Sequence, residues 1–131
     1  MKPQRPYLLR ALYEWIIESD ETPYFLIDAT FAGVSVPQAH VQDGQIVLNM
    51  SPGAVRDLVI DNQFVMCSGR FSGQHFDLYL PMASILAIYA KDTREGMVFP
   101  EEEALATEAA NEGEAEKNSD SPDSKPGLRL V

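Results

Sequence analysis

With 131 residues, 45% of them hydrophobic, the chain has room for one domain around one core and little more. Its formal net charge of -10 repels phosphate backbones, which argues against nucleic-acid binding through a basic face and favours peptides and proteins as partners. The charge is unevenly spread: residues 1–99 carry 7 Lys/Arg against 11 Asp/Glu, a net of -4, and residues 100–131 carry 3 against 9, a net of -6.

The single Cys67 cannot close an internal disulfide and reads as a small buried hydrophobe in a reducing compartment. No apolar run approaches the roughly 18 residues of a membrane span. Arg10 and Glu14 interrupt the N-terminal apolar stretch where a signal peptide needs continuity. A cytoplasmic protein without membrane contact is therefore expected.

In chain order, Pro6 suits the first turn of a helix, and YLLRALYEWIIES then runs to Ser19 without Gly or Pro. Its apolar stripe is wider than one core-facing surface requires. One face can pack on the domain's own core, leaving Leu8, Leu12, Trp15 and Ile16 to meet a second copy in a symmetric homodimer. Burial on most sides in a monomer accounts for the same stripe.

Beyond Thr22-Pro23 come short β-rich runs separated by turn residues: YFLIDATF (24–31), QIVLNM (45–50) after Asp43-Gly44, LVI (58–60), QFVMCSGRF (63–71) after Asp61-Asn62, and QHFDLYL (74–80) after Ser72-Gly73. A two-residue hairpin loop at Ser72-Gly73 pairs residues whose numbers sum to 145. Val65, Cys67, Gly69, Phe76, Leu78 and Leu80 then share an apolar face, and Met66, Ser68, Arg70, His75, Asp77 and Tyr79 a mixed one. Pro81 can open a short apolar helix, MASILAIYAK, capping the strands. The whole predicts a mainly β, α+β fold: an N-terminal helix, five short strands in a small bent sheet or partly open barrel, and the capping helix. From residue 100 the composition turns to Glu, Ala, Ser, Asp and Gly without aromatics, which predicts a disordered acidic tail.

No paired-cysteine motif, GxSxG, phosphate loop or HExxH occurs, so catalysis, a metal and a cofactor are not expected. His75 and Asp77 share a strand face, but no third ligand stands beside them. Outward Val47 and Asn49 on one strand, with Ser68 and Arg70 on another, mix apolar and hydrogen-bonding groups as a surface for an extended peptide would, Arg70 being available to a carboxylate. An ordinary solvated sheet face has the same composition.

RPYLLRALYEWIIESDETPYFLIDAT, VPQAHVQDGQIVLNMSPGAV, GRF and LPMASILAIYAKD together resemble the SspB (stringent starvation protein B) family over residues 4 to about 101. That resemblance implies an Sm-like fold, a dimer made through the N-terminal helix, and a role as specificity-enhancing adaptor of the ClpXP protease. It implies binding of the ssrA degradation tag, added to proteins from stalled ribosomes, with Val47, Asn49, Ala54, Ser68 and Arg70 in the groove-forming segments. It further implies that Leu128, Arg129, Leu130 and Val131 dock on the N-terminal zinc-binding domain of ClpX, which gives the closing apolar KPGLRLV a purpose. The organisation expected is a tag-binding and dimerisation domain at 1–101, a linker at 102–124 and a docking motif at 125–131. The chain departs from the family pattern where Ser68-Gly69 replaces a frequent Asn-Ala and where no Lys follows Val131. The alternative reading is an Sm-like RNA-binding or ribosome-associated module, which ought to be more basic.

Overall fold

The computed structural model describes residues 1–100, and its elements follow in chain order. Helix α1 (Arg5–Glu18) is followed by strands β1 (Pro23–Asp28), β2 (Gln45–Asn49), β3 (Val55–Ile60), β4 (Phe64–Phe71), β5 (Gln74–Pro81), β6 (Ile85–Ala90) and β7 (Gly96–Val98). Two antiparallel sheets result, a four-stranded one ordered β2-β1-β6-β7 and a three-stranded one ordered β3-β4-β5. The architecture is α+β as expected, but it has seven strands in two sheets rather than five in a barrel.

The β4–β5 hairpin has the register that its turn dictates, from Phe64 opposite Pro81 to Phe71 opposite Gln74. Ser72 (φ 53°) and Gly73 (φ 82°) both take the left-handed conformation that a primed two-residue hairpin turn needs. Val65, Cys67, Leu78 and Leu80 consequently point into the core, together with Phe25 and Ile27 of β1, Ile46 and Leu48 of β2, and Ile85 and Ile88 of β6. Both sheets thus contribute to one hydrophobic cluster.

The expected capping helix over MASILAIYAK is not formed. Met82–Ser84 make one 3₁₀ turn, and β6 then runs between β1 and β7 with Ile85, Ala87, Ile88 and Ala90 buried. A strand covered on both faces is apolar almost continuously, so its composition matches that of a buried helix, and the pairing with β1 decides. The first strand is also shorter than the run YFLIDATF, because the Asp28 carboxylate accepts a hydrogen bond from the Thr30 amide and turns the chain.

Helix α1 ties the sheets together from one side. Arg10 donates to the Ile60 carbonyl at 2.9 Å and to Asn62 Oδ1 at 2.8 Å, and the Tyr13 hydroxyl donates to the Met50 carbonyl at 2.8 Å. Buried Arg5 donates to the carbonyls of Ile85 (3.0 Å) and Pro100 (2.8 Å) and lies over the Phe99 ring, joining the helix start to β6 and to the end of the described chain. Of the four residues expected on a free helix face, Ile16 is 2% exposed and packs in the chain's own core, which removes it from that face. Leu8 and Leu12 are half-buried, whereas Trp15 is 48% exposed and shares the outer side of the helix with Tyr7. The expected linker at 102–124 and docking motif at 125–131 lie outside the described residues.

Candidate functional site: a polar cleft on the three-stranded sheet

The outward face of the β3-β4-β5 sheet opens into a cleft of about 680 Å³ at the end nearest the β2–β3 connection. Pro52, Gly53 and Ala54 of that connection form one wall, Arg56 and Asp57 of β3 continue it, and Ser68, Arg70 and His75 line the sheet side. The connection is held in shape locally. Asn49 Oδ1 accepts from the Ser51 amide at 3.0 Å, and the amides of Ala54 and Val55 both donate to the Ser51 carbonyl.

Three of the five residues expected in a peptide groove, Ala54, Ser68 and Arg70, therefore meet in this cleft. Val47 and Asn49 do not line it. They point outward from β2, an edge strand of the other sheet, where they pair with Leu26 and Tyr24 of β1, and Asn49 is engaged in shaping the 50–54 turn. Sequence reasoning missed Arg56 and Asp57, and it set His75 opposite Arg70 on the mixed face without assigning it to the groove. Arg56 faces outward opposite Ser68 and His75 stands directly opposite Arg70 across the hairpin, so pairing across three strands assembles the site.

Two guanidinium groups line the cleft, on a domain whose net charge over residues 1–99 is -4. Arg70 is exposed, lines the cleft and donates one of its five N–H groups to the Gly73 carbonyl at 3.1 Å, and a guanidinium at such a surface suits a carboxylate. His75 Nε2 lies 2.8 Å from Asp77 Oδ1, an exposed pair along one strand face. Beneath the cleft, burial pushes the Cys67 thiol up to about 11, which keeps it protonated and unreactive at neutral pH. Burial, and secondarily the nearby Cys67, also raises the Tyr13 hydroxyl above its ordinary range. Among the described residues no three His, Cys, Asp or Glu side chains converge to hold a metal ion, and no helix is long and apolar enough to cross a membrane.

The family model for stringent starvation protein B, SspB, matches residues 3–128. The chain belongs to the SspB family. It is also 48% identical, over 101 residues, to a stringent starvation protein B homolog from Haemophilus influenzae, an alignment covering 77% of this chain and 67% of the relative. Both the cleft and helix α1 fall within the SspB match, which extends past the described residues to the start of the closing LRLV.

Proposed function

We propose that this SspB-family chain is a protease adaptor. It binds the ssrA degradation tag in the cleft of the three-stranded sheet and delivers tagged proteins to ClpXP through Leu128, Arg129, Leu130 and Val131. The observation that carries the reading is the presence of both Arg56 and Arg70 in the lining of an open cleft on a domain of net negative charge, within a chain matched by the SspB family model up to residue 128. An extended peptide with a carboxylate fits such a site, because two guanidinium groups supply charge-assisted hydrogen bonds that a neutral sheet face lacks. The chain acts by tethering rather than catalysis, so no residue here is assigned a chemical step. The exposed side of α1, with Tyr7, Ala11 and Trp15, is the surface for a homodimer in this reading, flanked by the half-buried Leu8 and Leu12.

Titration of a labelled ssrA peptide into the full chain tests the proposal. Arg70→Gln should weaken binding by roughly 1–3 kcal/mol, the range for a charge-assisted hydrogen bond lost from a site. The thermal midpoint should move little, since Arg70 is exposed. Affinity unchanged by this substitution would place the tag elsewhere.

A further inference from the structure

The charges around the cleft cancel at neutral pH. Arg56 and Asp57 stand on one wall, Arg70 and His75 line the sheet side, and Asp77 lies on the same strand face as His75, its Oδ1 2.8 Å from the imidazole Nε2. Asp57 belongs to a β-bulge: the β3–β4 register shifts between Arg56 and Val59, and Asp57 takes the left-handed conformation at φ 57°. Two arginines against two aspartates sum to zero while the imidazole is neutral. One proton on His75 makes the set cationic.

The hairpin holds that imidazole where a ligand of Arg70 meets it. Phe71 and Gln74 close the Ser72-Gly73 turn, so the next pair inward, Arg70 with His75, is a non-hydrogen-bonded one, in which facing side chains stand closest. The charged groups around the ring pull in different directions. Asp77, on the same strand, favours the imidazolium, and Arg70, facing it from β4, opposes it. Arg56 and Asp57 of β3 offset each other, and the 50–54 connection has no charged residue. A peptide carboxylate that settles on Arg70 cancels the opposing charge and brings a second anion to the ring. Histidine is the side chain whose charge ordinarily changes between about pH 5 and 8. The other histidine, His40, packs against the Phe71 ring with its Nε2 3.5 Å from the Ser72 hydroxyl, and it does not line the cleft.

We propose that His75 makes the cleft proton-linked: a peptide carboxylate on Arg70 and a proton on His75 bind cooperatively, so acidic peptides are held more tightly as the pH falls. This rests on the peptide-binding reading of the cleft. The sign follows from reciprocity. If the protonated ring strengthens the hold on the carboxylate, the bound carboxylate strengthens the hold on the proton by the same factor. Binding therefore takes up protons where the ring titrates, and affinity is highest below that range and falls as the pH rises through it. Above it Asp77 faces no imidazolium and repels the ligand's carboxylate. Peptide Asp and Glu, with ordinary values near 4, stay ionised throughout.

The test titrates an N-terminally labelled ssrA peptide into the full chain at about pH 5.5, 6.5 and 8 and constant ionic strength. Binding should be roughly threefold to fivefold tighter at the lowest pH than at the highest, the range for one added partly exposed charge pair. His75→Gln should flatten the profile, and His40→Gln should leave it intact. Asp77→Asn should tighten binding at the highest pH, where the unneutralised carboxylate repels. All three side chains are exposed, so the thermal midpoints should stay within error. Calorimetry at about pH 6.5 in two buffers of different ionisation enthalpy should show net proton uptake on binding, abolished by His75→Gln. A flat profile of the parent chain, with Arg70→Gln still weakening binding, overturns the role of His75 and spares the cleft. A slope that survives His75→Gln also overturns it, because another group then carries the proton. Affinity untouched by Arg70→Gln at every pH overturns the cleft reading itself.

Discussion

Cys67 and Asp57 show how differently single residues can serve this site. Cys67 faces the core under the cleft floor, and burial alone raises its thiol from 9 to about 11. Because the folded value lies above the unfolded one, folding favours the protonated form. That contribution is fully present below about pH 9 and is lost as the pH rises through about 11. Equilibrium urea unfolding between pH 8 and 11 should therefore show a fall in stability of which Cys67→Val removes roughly 1–3 kcal/mol. A slope unaltered by the substitution would mean that the thiol is not desolvated. Asp57 has the opposite character, being exposed and held at φ 57° by the bulge. Asp tolerates that region better than most side chains, whereas a β-branched residue does not. Asp57→Val should cost about 1–2 kcal/mol in urea unfolding and Asp57→Gly should be near neutral. If Val were accepted without cost, the bulge would not depend on this conformation.

Among the elements, those fixed by local chemistry were legible in the sequence and those fixed by distant pairing were not. Helix α1 and the β4–β5 hairpin were readable because Pro6 and Ser72-Gly73 set their limits and the alternation of the hairpin follows from the turn. Strand β6 was not, since an apolar run buried on both faces carries no period that separates it from a helix. Strand β7 was hidden for the opposite reason: Gly96–Val98 is three exposed residues, and only pairing with Ala87, Ile88 and Tyr89 makes it a strand. The cleft was half legible. Ser68 and Arg70 sit on a hairpin whose register could be worked out, but nothing in Arg56-Asp57-Leu58 announces a bulge. Gly96 exposes what that late pairing demands. A Cβ there would lie 2.1 Å from the Ile88 carbonyl oxygen and 2.5 Å from Tyr89 Cα, so backbone rather than a flexible side chain would have to move. Gly96→Ala should destabilise by roughly 1–3 kcal/mol, the usual range for overpacking. Hydrogen exchange should locate the loss at the β6–β7 amides and the Phe99 amide, which donates to the Leu86 carbonyl. Uniform exchange changes across both sheets would contradict a local cause.

At the scale of the whole molecule, charge and hydrophobicity are divided between two parts with different tasks on the proposed reading. The described residues close on themselves: Phe99 is buried, and the Pro100 carbonyl accepts from Arg5. The apolar residues of LRLV lie some 28 positions further along the sequence, beyond the described residues. Deleting residues 128–131 should therefore leave tag affinity and the thermal midpoint unchanged. What it should abolish is the acceleration of ClpXP degradation at low substrate concentration. The reasoning is one of effective concentration. A coil of about 25 residues would reach about 25–30 Å, enough for a docked end and an occupied cleft to hold substrate near the protease at an effective concentration on the order of millimolar. Because a tether raises local concentration and leaves the proteolytic step alone, its loss should appear as a higher apparent KM with the maximal rate retained, and the deficit should close as substrate approaches saturation. A truncated chain that still lowers KM as the full chain does would show that residues 128–131 are not the docking ligand, whereas a fall in maximal rate at saturating substrate would show that the chain does more than tether.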